Sequence, residues 1–539
     1  MHIHKKALAG SIYLFLMSFL FERLWFYTEY LQLKNGVYIA ARLVLLIIVI
    51  AAGQALHRFC VCLKNQDAYA DFMLKIFLVY FIVMITILVF IWPGIWRWDE
   101  LWVLEGSKYL KYNSYQHFLT SLFYICSFML FPVPVGVVVL QILVVSVIIA
   151  YLITGVHRWI IADKKLAYFC LLPFFFFPVI DSNMYPLRCS IYAFVELLYL
   201  GMTVFESIRL KRQKETKVSN EFSIGYIITG VLLAVWRTEG FYYILIAPML
   251  YIFAFFNKSR KVQKVFVSAA IIFLAMAGVH YQNKLLSNTI GDQNTVISTL
   301  NYIEVINSHI ELKEKEKHLL EKINQVVDLT VLEEYGAGAI WDDSSGLLKT
   351  GEYSRREYRQ YFLAYMKLVF KHPRGFIKCQ MPRYLQANGM LPGEQFVYHT
   401  ENLYDAGDEI YDTDRVNESF KSYDLTKPCS ISLRKGVIQV LEFIQPIFFR
   451  YPFKLLRIAG YNSIIPTILL FGIVLYEIIK RRWFLTVIFS IPLMKLPLLF
   501  ATVPGSAFMY YYSIYLIGYC ISVCIFAGYL QKKRTENGG

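Results

Sequence analysis

Charge is scarce in this chain. Asp, Glu, Lys and Arg make up 17% of its 539 residues, against about 25% in ordinary soluble domains, which excludes a molecule whose whole surface faces water. The nine cysteines include no C-x-x-C pair and no zinc-type spacing, so neither a structural metal site nor a redox dithiol is expected. Most of them sit in apolar runs as small buried hydrophobes. A cleavable signal is missing too: MHIHKKALAG leads into an apolar segment without a small-residue cleavage site, so the first segment is expected to stay as an anchor. There is no internal duplication, which weighs against a paired-repeat transporter.

Apolar surface is what the chain has in abundance. Hydrophobic residues make up 57%, aromatic residues 17%, and mean hydropathy is +0.46, so a polytopic membrane protein surrounded by lipid is expected. The net charge of +15 does not point to nucleic acid, because Lys and Arg gather in short clusters between apolar runs, where they act as topology signals. A spanning helix needs about 20 mostly apolar residues. Twelve runs approach that: 8–29, 37–57, 73–93, 134–156, 165–180, 188–207, 222–237, 241–257, 264–281, 461–479, 483–502 and 507–530. With His4-Lys5-Lys6 placed in the cytoplasm, the same side receives Arg58 and Lys64, then Arg158 with Lys164 and Lys165, then RLKRQKETK at 209–217. KSRK at 258–261, KRR at 480–482 and KKR at 532–534 follow suit, and both termini are cytoplasmic.

The opposite face then receives the segment 94–133, short turns at 181–187 and 238–240, and a polar block at 282–436. That block is expected to form an inserted extracytoplasmic domain, mixed α/β or irregular, between an N-terminal transmembrane module (1–281) and a C-terminal part (437–539). ELKEKEKHLLEKINQ reads as a charged helix and GAGAIWDDSSG as a break. A second helix begins where Ser354 and Glu357 have capping-box spacing; Tyr358, Tyr361, Phe362, Tyr365 and Val369 share one face, and Pro373 ends it. The acid-rich YDAGDEIYDTD at 404–414 lacks the spacing of an EF-hand loop and reads as a solvated loop. Cys379 and Cys429 lie in one compartment, which permits a disulfide. The run 437–449, too short to span, reads as an interfacial helix.

The stretch WPGIWRWDELW, residues 92–102, holds four of the nine tryptophans around Asp99 and Glu100. Trp92, Trp96, Trp98 and Trp102 are expected at the headgroup level and Pro93-Gly94 to break the helix, so that both acids emerge just outside the hydrocarbon. The apolar run 118–131 is too short to cross and is expected in or on the outer leaflet. The next outward turn, FFFFPVIDSNMYPLRCS, brings Asp181 and Arg188 to the same depth, and AVWRTEGFYY adds Arg237 and Glu239. Simpler readings exist: an ion pair within the Arg237 turn, and a helix cap with a snorkelling arginine for Asp181 and Arg188. Yet a charge at the centre of a bilayer costs about 3 kcal/mol on insertion scales, so charges on successive turns mark a wet cavity or ligand site. Lys495, between the prolines of SIPLMKLPLLF, needs a partner and is expected to face that cavity. Glu22 and Arg23 read as a mutually compensating pair.

Acids and cations at the mouth of a membrane bundle suit sugar transfer from a polyprenyl-phosphate carrier. Phosphate leaves readily, so the needs are a carboxylate to take the acceptor hydroxyl's proton and cations for charge growing on the departing phosphate. Asp99 is the expected base; Glu100 is a metal ligand, a hydrogen-bonding partner or a bystander. The cations are Arg188, Arg237, Lys495, Lys108 or Lys111. The pattern resembles the GT-C glycosyltransferases, on RWDE at 97–100, YQHFLTSLFYICSFML after it, VIDSNMYPLR at the second outer turn, and the pieces LVFKHPRGFIK (368–378) and AFMYYYSIYLIGY (507–519), which resemble bacterial members of the family 39 type. Two extra spans precede the acidic loop here, and the large outer block lies between the ninth and tenth spans rather than at the C-terminus. What the resemblance implies is an all-α GT-C-like membrane bundle in a bacterial cytoplasmic membrane. It would use a polyprenyl-phosphate sugar donor and a glycan, protein or lipid acceptor, with a divalent cation left open as cofactor. A polysaccharide polymerase or ligase and a lipid-linked-glycan transporter are the alternatives.

Overall fold

The computed structural model describes residues 4–96, 98–113, 116–186, 188–214, 217–286, 288–309, 313–388, 390–391, 427–444, 460–503 and 507–537. Among them the secondary structure is helical, with one isolated antiparallel bridge between Val327 and Leu348. The N-terminal module runs α1 (Lys5–Phe21), α2 (Gly36–Lys64), α3 (Ala68–Phe90), α4 (Trp98–Lys108), α5 (Phe118–Leu130), α6 (Val135–Trp159), α7 (Lys164–Phe169), α8 (Phe177–Met184) and α9 (Arg188–Arg212). Then come α10 (Asn220–Val235), α11 (Tyr243–Ala254) and α12 (Lys261–Leu285). The polar block supplies α13 (Asn288–His309), α14 (Glu314–Asn324), α15 (Leu329–Tyr335), α16 (Arg355–Lys371) and α17 (Pro373–Ala387). After α18 (Ile431–Ile444) the chain ends in α19 (Ile464–Ile479), α20 (Trp483–Thr502) and α21 (Tyr512–Asn537).

Eight of these helices, α1, α2, α3, α6, α9, α12, α20 and α21, are long and apolar enough to cross a membrane, and a ninth span results if the bent pair of 164–175 and 177–184 counts as one. The chain is therefore a multi-pass helical membrane protein, and among the described residues eight or nine of the twelve expected spans are full-length. The other three expected spans coincide with apolar helices of 16, 12 and 16 residues (α10, α11 and α19). At 1.5 Å per residue these extend about 24, 18 and 24 Å, short of the roughly 30 Å hydrocarbon core. The bend of 61° before α8 follows from LLPFFFFPVI, where Pro173 and Pro178 remove helical donors.

Side-chain caps start several helices where the sequence offers them: Asn35 for α2, Asp67 for α3, Asp163 for α7 and Ser219 for α10 each accept from a backbone N–H of the first turn. Arg534 pairs with Asp163 at 2.7 Å and His4 N–H donates to Gln54. The loops carrying Arg188, Arg237 and Glu239 come together at one end, the acid-bearing end.

Among its described residues the polar block is helical, without the strands that a mixed α/β module would have. Around GAGAIWDDSSG the chain breaks into 3-10 turns, with Gly336 and Gly346 at positive φ. The block has a core of its own, built from Leu300, Ile303, Leu319, Ile323, Tyr361 and Leu368 among others. The Ser354–Glu357 capping box is formed, α16 buries Tyr361 and Tyr365, and Pro373 opens α17 as its first residue. Cys379 and Cys429 are both free thiols. The acidic loop 404–414 lies outside the described residues.

Two further expectations are corrected. Trp96 is fully buried and Trp92 half-buried, with only Trp102 about half exposed; Trp98's side chain lies outside the described residues. The indoles therefore do not form a uniform belt, because the α3–α4 linker folds back onto α8 instead of running along the surface. Glu22 does not pair with its exposed neighbour Arg23. Adjacent helical residues point about 100° apart, and Glu22 instead meets Arg42 of α2 in a buried ion pair, with Tyr38 Oη donating to it at 3.1 Å. Arg42 also donates to Ser18 Oγ (2.5 Å). Removing one partner of such a pair strands the other: Arg42→Ala is expected to lower stability in detergent by about 3–5 kcal/mol, whereas Glu22→Gln/Arg42→Met recovers most of that loss. Equal instability of the single and double variants in chemical denaturation would defeat this reading.

Candidate functional site

The acid-bearing end is assembled around the α8 turn. Gln141 Nε2, from α6, reaches the carbonyls of Asn183 (3.3 Å) and Tyr185 (2.5 Å), and Ser190 Oγ donates to Ser182 O at 2.6 Å, so the carbonyls left over where α8 ends are satisfied by side chains. Ile95 N–H donates to Met184 O at 3.0 Å, which ties the α3–α4 linker to the same turn. Gly94 sits there at φ +94°, and a Cβ on it would come within 3.1 Å of Met184 O, so only glycine allows this approach. On the other side Arg434 of α18, itself buried, donates to the carbonyls of Ile91, Trp92 (2.7 Å) and Gly94 (3.2 Å). The helix expected at 437–449 thus begins at Ile431, earlier than expected, and plugs the end of α3; residues 445–449 lie outside the described ones.

The expected site residues fall as follows. Asp99 belongs to α4, but its side chain lies outside the described residues. Glu100 beside it is buried. Asp181 is fully buried within α8 and accepts from Tyr461 Oη at 2.7 Å. Arg188, at the start of α9, is half-buried and its Nη1 donates to the Gln116 carbonyl (3.0 Å). Next to Gln116, burial and then the nearby Arg188 push His117 down to about 3, which leaves a neutral ring whose Nδ1 accepts from Leu119 N–H. The run 118–130 after it is a mostly buried helix packed among α1, α2, α4 and α6, not a segment lying on a surface.

Arg237 and Glu239 form the ion pair of their turn, both side chains largely buried. Lys495 finds its partner in a residue that sequence reasoning missed. Its Nζ is 2.6 Å from Glu196 of α9 and 2.8 Å from Ser513 Oγ of α21, at 1% and 0% side-chain exposure for the ion pair. Tyr243 Oη donates to the other Glu196 oxygen at 2.8 Å, with Tyr242 Oη at 3.4 Å. Lys495 also lies 4.8 Å from the Tyr192 ring centre, and Arg237 approaches the same ring at 6.0 Å. Glu239 lies within electrostatic range of Lys495 and Arg188 as well as Arg237. The cations of three chain segments, two of them outward turns, therefore converge on one carboxylate. The signal for Glu196 was available: an acid centred in an apolar helix, YAFVELLYL, flanked by tyrosines that supply polar contact.

Arg383 of α17 is a second residue the sequence reading left aside. It lies in range of Tyr510 and Tyr511, and Tyr510 is in range of Arg237, so the polar block reaches this cluster. Lys108 and Lys111 stand apart from it: Lys108 is buried with Nζ 4.8 Å from the Trp25 ring, and exposed Lys111 lies near Tyr30 and Tyr109. Among the described residues no group of three or more His, Cys, Asp and Glu side chains is placed to hold a metal ion. A cavity of about 450 Å³, lined by Ser207, Lys211, Lys214, Phe256 and Lys258 among others, lies at the opposite, basic end of the bundle.

No family model matches the chain, and neither a curated protein nor a solved structure does.

Burial pushes Lys108 down to about 8 against a weaker opposing pull from Glu105. Its ordinary value of 10.5 applies once the chain unfolds. Between these values the unfolded chain holds a proton that the folded chain has released, so this residue makes stability rise with pH from about 8 to 10.5. The expected outcome is a melting temperature in detergent that climbs less over that window in Lys108→Met than in the unaltered protein. Parallel slopes would reject the assignment.

Proposed function

We propose that this protein is an integral-membrane glycosyltransferase that moves a sugar from a polyprenyl-phosphate donor to an acceptor hydroxyl. The acid-bearing end would face away from the cytoplasm of a bacterial cell and both termini would lie on the basic, cytoplasmic side. The acceptor is a glycan, protein or lipid of the cell envelope. The observation that carries this reading is the convergence of Arg188, Arg237 and Lys495 around Glu239, at the end of the bundle where Glu100 and Asp181 are also buried.

In this reading the acceptor oxygen attacks the anomeric carbon, the bond from that carbon to the phosphate oxygen breaks, and the phosphate leaves with the electron pair. Asp99 takes the acceptor's proton, a contribution of about 10²- to 10⁴-fold. Arg188 and Arg237 carry the charge growing on the phosphate, where a low dielectric strengthens each interaction. Lys495 acts from behind them, its charge already matched by Glu196. Glu100, buried on α4, would serve as a hydrogen-bonding partner in the site or as a ligand if a divalent cation is used.

One observation favours a second reading. An ion pair wholly enclosed by apolar helices, as Glu196–Lys495 is, suits a proton-coupled transporter of lipid-linked glycans. A polymerase or ligase acting on the same lipid-linked substrate is separated from simple transfer by product length.

Purified protein in lipid nanodiscs, supplied with polyprenyl-phosphate sugars and candidate acceptors, is expected to release polyprenyl phosphate and form glycosylated product. Asp99→Asn is expected to slow turnover by about 10²- to 10⁴-fold, and Arg237→Gln/Glu239→Gln, which leaves no unmatched buried charge, to lower it. Undiminished turnover in Asp99→Asn excludes that residue as the base. Movement of the intact donor across vesicles without transfer selects the transporter.

A further inference from the structure

The cavity of about 450 Å³ plays no part in the function proposed for the acid-bearing end. Two helices fix its place. α9 begins at Arg188, and its 25 residues carry the chain about 37 Å at 1.5 Å per residue before Lys211 and Lys214 reach the cavity. α11 likewise starts just after the Arg237–Glu239 turn and brings Phe253, Phe256 and Lys258 to the cavity at and beyond its far end. The two walls are tied to each other. Val218 N–H, in the link after α9, donates to Lys258 O at 3.0 Å, Gln263 Nε2 reaches Ser223 Oγ at 2.9 Å, and Lys264 Nζ is held on Phe256 O at 2.9 Å.

The lining is cationic on one side and apolar on the other. Lys211, Lys214 and Lys258 supply three positive charges, and among the described residues no acid lines the cavity. Glu206, beside the lining residue Ser207, has its two oxygens engaged by Arg209 at 2.8 and 2.9 Å. Helix dipoles leave the lysines dominant, because α9 and α11 end here with negative poles while α10 and α12 begin here with positive ones. Ser207 and Asn257 add neutral hydrogen-bonding groups. Phe253 and Phe256 are 47% and 63% exposed, and Met249 and Ile252, also exposed, share the Phe253 face of α11 at helical spacing. α11 extends about 18 Å, short of the roughly 30 Å hydrocarbon core, and a bilayer accommodates a short helix by thinning beside it. Headgroups are thereby drawn to the level of Lys258 and Phe256.

We infer that this cavity binds the headgroup of an anionic phospholipid, with the phosphate among the three lysines and the acyl chains along Met249, Ile252 and Phe253. A soluble anion has no use for the exposed apolar face that adjoins the lysines, whereas an amphiphile occupies both. A zwitterionic headgroup brings its own cation into an already positive cavity. A phosphodiester of charge −1 lowers the lining from +3 to +2, so binding reduces the local charge. Lysines act as point charges without the bidentate fork of arginine, so the cavity selects negative charge rather than one phosphate geometry. Basic pockets between membrane helices hold acidic headgroups on this electrostatic basis.

The test uses the full chain purified in a nonionic detergent, with short-chain phosphatidylglycerol, short-chain phosphatidylcholine and the soluble headgroup glycerophosphoglycerol as probes in binding titrations. Phosphatidylglycerol is expected to bind saturably and more tightly than either of the others. Lys211→Gln/Lys214→Gln, two exposed positions whose change leaves folding intact, is expected to weaken it about 25-fold, about fivefold per lysine, and Lys258→Gln to add about another fivefold. Lys164→Gln/Lys165→Gln, exposed lysines of α7 outside the cavity, is expected to leave the affinity unchanged. Unaltered affinity in Lys211→Gln/Lys214→Gln, or equal weakening in the α7 pair, overturns the site. Phosphatidylcholine binding as tightly overturns the charge selection, and glycerophosphoglycerol binding as tightly overturns the lipid in favour of a soluble phosphate. None of these outcomes bears on the transfer proposed at the opposite end.

Discussion

A charge inside an apolar bundle must be matched, and the Lys495–Glu196 contact is where this protein meets that demand most completely. Neither residue retains meaningful exposure, and the ammonium and carboxylate together draw hydrogen bonds from Ser513, Tyr243 and Tyr242. Four elements, α9, the α11 start, α20 and α21, are thereby held in one register. Helix packing in lipid gains little from hydrophobic contrast between helices, so a buried polar junction of this kind specifies which helices meet. The C-terminal helices, separated from α9 by some three hundred residues of sequence (|i−j| = 299), dock against it because Lys495 has no comparable partner among its chain neighbours.

From that junction the rest of the acid-bearing end can be followed outward. The Tyr192 ring lies near both Lys495 and Arg237, the Arg237–Glu239 turn joins α10 to α11, and Arg188 anchors the α4–α5 connection through Gln116. The α8 turn is the other fixed point. Gln141 and Ser190 hold its carbonyls, Gly94 lets the α3–α4 linker approach, and Arg434 closes the end of α3 from outside. Glu100 is placed by this stitching rather than by the properties of its own short helix. The reach of Arg383 toward Tyr510 shows the polar block contributing to the same end, which a block with its own separate core need not have done.

Local chemistry was the readable part of the sequence. The capping residue Ser354 opened a helix where its spacing indicated, Pro373 started a new one, and among the described residues the expected apolar runs are helical. Of the expected site residues, Arg188 and Glu239 come from successive turns and lie within electrostatic range of each other. Partner choice was not readable. Glu22 turned to Arg42 instead of Arg23, Lys495 to Glu196 instead of an open cavity, and Trp96 into the core instead of the lipid boundary. Each depends on which faces of different helices touch.

Sequence alone determined the membrane setting of this protein and the helical character of its apolar runs, since these follow from hydropathy and backbone hydrogen bonding within single segments. Tertiary structure decided which runs are full-length, where the linker at Gly94 turns, and which acid neutralises which cation. Those outcomes depend on distances between atoms remote in sequence, and a Coulomb or hydrogen-bond energy exists only once packing has set that distance.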